Sequence, residues 1–186
     1  GRAIASMVNE AMKPLVIGQT PLDYDRLWES MYFRTYKLGG MGAQTEAIAG
    51  IDIALWDILG KVTGQSLSQL LGGRRRDRVR MYASIGGGAE STPQEMAARA
   101  AKAVEEGHTM VKMRMDWTAR RTDVNPAHDW AVLSETRKAI GDKIELGFDA
   151  NNGFSVPTAI RLGRRAQDEL GLIHYEEPIA QYDYPG

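Results

Sequence analysis

The chain has 186 residues, of which 43% are hydrophobic and 25% are charged, as in ordinary soluble globular proteins. Its 23 basic and 24 acidic residues nearly cancel, which excludes the strongly basic character expected of a nucleic-acid-binding or anionic-membrane-binding domain. The absence of cysteine excludes disulfides and thiol chemistry, and no apolar run reaches the roughly 20 residues of a membrane span. We therefore expect a cytoplasmic protein with neither nucleic acid nor membrane as a partner.

The N-terminal part of the chain has a helical pattern. Helices are predicted around Ala3–Met12 and over Tyr24–Tyr36. From Ala43 to Val62 apolar residues recur at helical spacing on a wide stripe, which predicts a long, largely buried helix. Ser66 is expected to cap one further turn before an arginine-rich linker at residues 74–78.

Beyond the linker, strands alternate with helices. The predicted strands are Val79–Ser84, Thr109–Met115, Ile144–Ala150 and Leu172–Glu176. Each of the three helices between them is predicted to begin at a capping residue, namely Thr92, Asn125 and Ser155. The order βαβαβαβ predicts a parallel sheet with right-handed crossovers, either an open doubly wound sheet or a closed barrel.

The alternation of side chains within the strands favours the barrel. Val111, Met113 and Met115 alternate with Lys112, Arg114 and Asp116, and the third strand has the same pattern. In the fourth strand Ile173 and Tyr175 are assigned to the apolar face. Doubly wound strands are apolar on both faces, whereas a barrel strand can carry charges on its inner face near the rim. The expected fold class is α/β, with about four strands forming the first half of a (β/α) TIM-type barrel.

Ionisable side chains gather where these strands end. They are Lys112 and Arg114, then Asp149 with Asn151, then Glu176. Charges brought together at a barrel rim are costly unless they pair or bind an ion, and oxygen ligands without cysteine suit Mg²⁺ better than zinc. A salt-bridge network that only closes the top of the barrel is the alternative. A nucleotide-binding doubly wound protein is a further alternative, but Gly86–Gly88 lack a phosphate-binding fingerprint and are interpreted as a flexible loop.

Four motifs resemble those of a known family. They are the helix at residues 49–61 with the Leu-Leu-Gly-Gly at 70–73, then Lys112-Met-Arg114, Asp149-Ala-Asn151 and Glu176-Glu-Pro178. Together they resemble the enolase superfamily, and within it the mandelate racemase and muconate lactonising enzymes, mandelate racemase subgroup. The resemblance implies that residues 1–75 are the C-terminal helical portion of an α+β capping domain, that residues 76–186 are the first half of the barrel domain, and that the chain is a fragment of a full-length protein.

The resemblance also implies a chemistry. A substrate carboxylate would be held on Mg²⁺, the proton α to it removed, and the resulting enediolate stabilised by the metal. Asp149 and Glu176 match two metal ligands, and Lys112 matches the residue that binds the substrate carboxylate. Asn151 would donate a hydrogen bond to the substrate or hold the strand end together. Ser84 would contact the substrate or fill the barrel floor.

Arg114 departs from the racemase pattern, in which a lysine at this position takes and returns a proton. The arginine side chain stays protonated up to about pH 12 and is a poor base. A supporting electrostatic or hydrogen-bonding role is therefore expected for Arg114. This favours an acid-sugar dehydratase over a racemase, epimerase or cycloisomerase of the same superfamily. A non-catalytic remnant or scaffold is the alternative from another class. His174 is expected to be a hydrogen-bonded core residue, the fragment to be inactive alone, and the full protein to form a homo-oligomer.

Overall fold

The computed structural model describes residues 1–117 and 122–186, which form two compact units, Gly1–Arg78 and Val79–Gly186. The assignment of residues 1–75 to a capping domain and of residues 76–186 to a barrel domain stays a prediction. Within the described residues no helix is long and apolar enough to cross a membrane.

The N-terminal unit is helical. Its elements are α1 (Arg2–Ser6), a π-helical turn (Met7–Met12), α2 (Lys13–Val16), a 3-10 turn (Pro21–Asp23), α3 (Tyr24–Thr35), a second 3-10 turn (Tyr36–Leu38), α4 (Ala43–Thr63) and α5 (Leu67–Leu70). Ser66 caps α5 reciprocally, because its hydroxyl accepts from the backbone N–H of Gln69 while the Gln69 side chain accepts from the N–H of Ser66. The predicted cap is confirmed.

Helix α4 is less buried than its apolar pattern predicts. Ala47 and Ile48 pack with Met12 and Met31 in a small core, but Ile53 is 66% exposed. The prediction of a largely buried helix is therefore wrong. The apolar period shows which residues of α4 share a face. Whether that face is buried depends on other elements that pack against it, and the N-terminal unit supplies such elements on one side of α4 only.

The C-terminal unit alternates strands and helices as predicted. Its elements are β1 (Ala83–Ile85), α6 (Pro93–Glu105), β2 (Met110–Arg114), α7 (Pro126–Ile140), β3 (Glu145–Asp149), α8 (Val156–Leu170) and β4 (Leu172–Glu176). All neighbouring strands are parallel and the sheet order is β1-β2-β3-β4. In a (β/α) barrel each strand lies next to the one before it in the chain, as observed here. In a doubly wound sheet the order in which strands are added reverses at a switch point. The first strand is shorter than the predicted Val79–Ser84.

The helix starts follow the predicted capping residues, with one difference. Thr92 and Glu95 form a reciprocal capping box, and Asn125 Oδ1 accepts from the N–H of His128 at 3.1 Å. Ser155 occupies the N-cap position of α8, but its hydroxyl donates to Asp123 Oδ2 at 2.6 Å and makes no capping bond. The predicted side-chain cap is therefore wrong at Ser155, because its hydroxyl is turned towards Asp123, a residue distant in sequence.

The core of this unit lies between the sheet and helices α6, α7 and α8. It includes Met96, Val111, Met113, Leu133, Leu146 and Phe148, all fully buried. The predicted apolar face of β2 and β3 is confirmed. In β4 the register shifts, so that Leu172 pairs with Leu146 and His174 with Gly147, which leaves Ile173 as an extra, exposed residue. The prediction that Ile173 lies on the apolar face is therefore wrong, because a prediction from alternating residues assumes a strand without a bulge.

One buried carboxyl group makes this fold sensitive to pH. Asp129, in the first turn of α7, is fully buried, and Trp117 Nε1 donates to its Oδ1 at 3.0 Å. Burial raises the pKa of Asp129 from its ordinary value of 3.8 to about 6, although the Trp117 bond and the nearby His128 both act to lower it. The folded protein thus binds this proton more tightly than the unfolded chain, and stability is lost as the pH rises from about 4 to about 6.

We expect Asp129→Asn to stabilise the protein at pH 7 by about 3 kcal/mol and to have little effect below pH 4, because asparagine keeps an acceptor for Trp117 without a buried charge. Denaturant unfolding between pH 3.5 and 7.5 measures this difference. The exposed Asp168→Asn is the matched control, with an expected change within about 0.5 kcal/mol at every pH. A stability difference between Asp129→Asn and the native protein that does not vary with pH would contradict the assignment.

Candidate active site

The register of the sheet brings the predicted polar residues to neighbouring positions. Arg114 is paired with Asp149, and Asp149 with Glu176, at the carboxyl ends of β2, β3 and β4. One pleat earlier, Ser84 of β1 is paired with Lys112 of β2. Since paired residues of parallel strands project to the same side, these side chains occupy one face of the sheet.

Lys112 joins the two acidic side chains. Its Nζ donates to Glu176 Oε2 at 2.5 Å and to Asp149 Oδ2 at 3.4 Å. The side chains of Lys112 and Asp149 are each 7% exposed, and that of Glu176 is 35% exposed. Two carboxylates from neighbouring strands therefore converge on a single cationic position.

The charges of this cluster stabilise one another. The hydrogen bonds from Lys112 and His174 lower the pKa of Glu176, so that it is ionised at neutral pH. Burial acts to lower the pKa of Lys112, but bonds to Glu176 and Tyr82 and the charges of Asp149 and Glu176 outweigh it and raise the pKa. Lys112 thus keeps its proton at neutral pH while it is paired with these carboxylates.

Asn151 contacts Asp149. Its backbone N–H donates to Asp149 Oδ1 at 3.0 Å, and its side-chain amide donates to the same oxygen. Asn151 adopts a left-handed backbone conformation with φ of 48°, which short polar residues tolerate better than others. These bonds orient the Asp149 carboxylate and hold the strand end together; a contact with substrate stays a prediction.

Arg114 turns to another partner. Although it is paired with Asp149 along the sheet, its Nε lies 2.7 Å from Asp116 Oδ1 in an ion pair, and its Nη2 donates to Asp116 Oδ2 at 3.3 Å. Asp116 Oδ2 also accepts from the backbone N–H of Gly87 at 2.6 Å. The structure therefore brings Lys112, Asp149 and Glu176 into one cluster and holds Arg114 in a second, adjacent ion pair.

Sequence reasoning missed three contacts at this site. The Tyr82 ring centroid lies 5.3 Å from Lys112 Nζ, a cation–π distance, and the shared parity of Tyr82 and Ser84 was the available signal. His174 was expected in the core, but its side chain is 44% exposed and its Nε2 lies 3.2 Å from Glu176 Oε2. Asp116 lies on the predicted charged face, and its ion pair with Arg114 is the third contact.

The donor set is suited to a magnesium ion. Within residues 1–117 and 122–186 there is no group of three or more His, Cys, Asp or Glu side chains placed to hold a metal. Mg²⁺ does not require such a cage, since it keeps several waters and is often bound by one or two carboxylates plus the substrate. Asp149 and Glu176 already direct one oxygen each towards a shared cation, the Lys112 ammonium, so the two residues fit the ion.

The comparisons with known proteins identify the family. The model described as mandelate racemase/muconate lactonizing enzyme, N-terminal domain, matches residues 1–72, and the model described as enolase C-terminal domain-like matches residues 95–186. The chain belongs to the mandelate racemase and muconate lactonising enzyme group of the enolase superfamily. The predicted family and the predicted α/β TIM-type barrel fold are confirmed.

Similar proteins include enzymes and a metal-bound structure. D-galactarolactone cycloisomerase from Agrobacterium fabrum is 36% identical, over 92% of this chain and 44% of its own length. D-galactonate dehydratase from Verminephrobacter eiseniae is 36% identical, over 96% and 46% respectively. A mandelate racemase/muconate lactonizing protein from Paracoccus denitrificans, solved in complex with magnesium, is 42% identical with a TM-score of 0.91, over 97% of this chain and 48% of that one. The chain thus spans about half the length of the curated relatives it matches.

We expect Lys112→Met to destabilise the protein at pH 7 by about 2 kcal/mol, because it leaves Asp149 and Glu176 without their shared cation. Added Mg²⁺ should recover part of this loss by occupying the position between the carboxylates. Thermal unfolding with and without Mg²⁺ measures both effects.

The matched control is Lys138→Met, which removes the exposed ion pair with Glu135 and should change stability by less than about 1 kcal/mol, with or without the metal. If Mg²⁺ raised the melting temperature of both variants equally, the two carboxylates would not form the binding position.

Proposed function

We propose that the whole protein is an acid-sugar dehydratase that uses Mg²⁺ to remove the proton α to the substrate carboxylate, after which the β-hydroxyl leaves. The observation that carries this proposal is the convergence of Asp149 and Glu176 on one cationic position beside the buried ammonium of Lys112. The similarity to D-galactonate dehydratase supports the choice of an acid sugar as substrate.

In this proposal Asp149 and Glu176 hold the metal. When bound, Mg²⁺ would hold the substrate carboxylate and stabilise the negative charge that develops as the α-proton is removed. Lys112 binds the same carboxylate and adds a fixed positive charge from a nearly dry position, where electrostatic interactions are stronger than in water. Asn151 keeps the Asp149 carboxylate in the orientation that this arrangement requires.

The proton acceptor belongs to another part of the site. Lys112 binds the substrate carboxylate as a cation and Arg114 carries a guanidinium, so neither is suited to take the proton at neutral pH. Arg114 instead supports the developing negative charge, and Ser84, on the same face as Lys112, contacts a polar group of the substrate. Removal of the proton from the opposite face of the substrate follows from these properties.

A second candidate is a cycloisomerase, favoured by the similarity to D-galactarolactone cycloisomerase. The two reactions share α-proton removal and differ in the group that leaves. A racemase or epimerase requires a proton acceptor on each face, which Arg114 does not provide. The homo-oligomeric state and the cytoplasmic location stay predictions.

Incubation of the whole protein with Mg²⁺ and a panel of mono- and diacid sugars should yield a 2-keto-3-deoxy acid from at least one of them, detected as its semicarbazone. Asp149→Asn and Glu176→Gln should each reduce turnover by at least about a thousandfold, because each removes one carboxylate from the metal. Glu135→Gln, at an exposed surface pair, is the control that should retain activity. A ring-opened or ring-closed isomer with no loss of water would select the cycloisomerase instead.

Replacing Arg114 by lysine tests the face of proton removal. Arg114→Lys introduces a side chain that can lose its proton, so we expect dehydration to fall about tenfold and exchange of the substrate α-hydrogen with solvent to appear. Proton NMR in D₂O follows the exchange and the stereochemistry of recovered substrate. Unchanged product and unchanged exchange would contradict the supporting role of Arg114.

A further inference from the structure

Asp116 connects Arg114 to the loop that follows β1. The Asp116 carboxylate accepts from Arg114 Nη2 at 3.3 Å and from the backbone N–H of Gly87 at 2.6 Å, and its Oδ1 lies 2.7 Å from Arg114 Nε in an ion pair. Asp116 lies two residues after Arg114, just beyond the end of β2. One carboxylate therefore joins the ends of two neighbouring strands.

This bond decides where the guanidinium of Arg114 lies. Arg114 is paired in the sheet with Asp149, and a guanidinium binds carboxylates strongly, often through two parallel hydrogen bonds. Without Asp116, Asp149 on the neighbouring strand would compete for the guanidinium. Asp116 satisfies the guanidinium instead and keeps the oxygens of Asp149 and Glu176 available.

The loop after β1 packs closely against the Arg114 guanidinium. A Cβ added to Gly86 would lie 2.9 Å from Arg114 Nη2, so glycine is needed for this close approach. The loop itself is fastened, because Arg99 donates to Gly86 O at 3.2 Å and the N–H of Gly88 donates to Arg114 O at 3.2 Å. Gly86–Gly88 thus lie in a loop, as predicted, and the flexibility of that loop stays a prediction.

We propose that Asp116 is a positioning residue for Arg114. It holds the guanidinium against the Gly86–Gly88 loop, away from the metal-binding carboxylates and on the side where the substrate reacts. The proposal rests on the supporting role of Arg114 in the proposed function. Asp116 itself touches neither substrate nor metal and acts through Arg114.

Two variants disturb this arrangement in different ways. Asp116→Asn removes the negative charge but keeps an acceptor for the N–H of Gly87, so the loop should remain in place. Gly86→Ala keeps the Asp116 charge, but its added methyl group would lie 2.9 Å from Arg114 Nη2 and 3.2 Å from Asp116 Oδ2, so it crowds the ion pair from the side of the loop. Each should lower kcat for the acid sugar about tenfold and change KM by less than about threefold, because misplacement of a charged group affects the transition state most.

The control is Glu169→Gln, which removes the carboxylate from the Arg165–Glu169 ion pair on the surface of α8 and should leave kcat unchanged. A double variant supplies the second readout, because it measures whether the effects of Asp116 and Arg114 on kcat depend on each other. In an Arg114→Gln background, Asp116→Asn should lower kcat by less than about twofold, because its partner is already absent. Losses that multiply in the double variant would overturn the proposal.

Crystal structures of the whole native protein and its Asp116→Asn variant provide a readout that does not depend on turnover. We expect the Arg114 guanidinium to leave Gly86 in the variant and to turn towards Asp149 or Glu176. A guanidinium that keeps its place would overturn the positioning role, whether or not any acid sugar is a substrate. If it moves while every acid sugar is inert, the positioning role stands and the proposed function fails.

Discussion

A single ammonium group shared by two carboxylates organises the polar face of this sheet. Lys112 and Asp149 are almost completely removed from water, and a charge in such a position is tolerated only when it is paired and hydrogen-bonded. Pairing requires β2, β3 and β4 to lie side by side with their carboxyl ends level, which is the register observed. The same convergence leaves two hard oxygen donors pointing at one small volume, which is the requirement for binding a magnesium ion.

The charges at the rim are divided into two sets. Lys112 forms ion pairs with Asp149 and Glu176. Arg114 forms an ion pair with Asp116, which also accepts a hydrogen bond from the loop after β1. Two cations one pleat apart on β2 are thereby kept on different anions. Two residues that look alike in sequence therefore differ in their partners: Lys112 neutralises Asp149 and Glu176, and Arg114 neutralises Asp116 beside them.

The outer layer of helices carries a cleft of about 430 Å³ between α7 and α8, but its charged groups are already engaged. The guanidinium of Arg165 lies 3.6 Å from the Trp130 ring centroid and bonds Glu169 at 2.9 Å, while Arg161 donates to Thr158. Unlike the strand ends, this cleft presents no converging carboxylates. The converging carboxylates therefore lie at the strand ends and not in this cleft.

The sequence by itself determined the order of strands and helices, the apolar face of β2 and β3, the caps at Thr92 and Asn125, and the gathering of Lys112, Asp149 and Glu176 at one end of the sheet. Each of these follows from local periodicity, from capping chemistry, or from the rule that parallel strands end at one rim. Only the tertiary structure decided the bulge at Ile173, the exposure of one side of α4, the partner of Ser155 and the turn of Arg114 towards Asp116. The first three features depend on groups from distant parts of the chain. The turn of Arg114 depends on a choice between Asp116, two residues away, and Asp149 on the neighbouring strand, and the spacing of residues along a chain does not decide that choice.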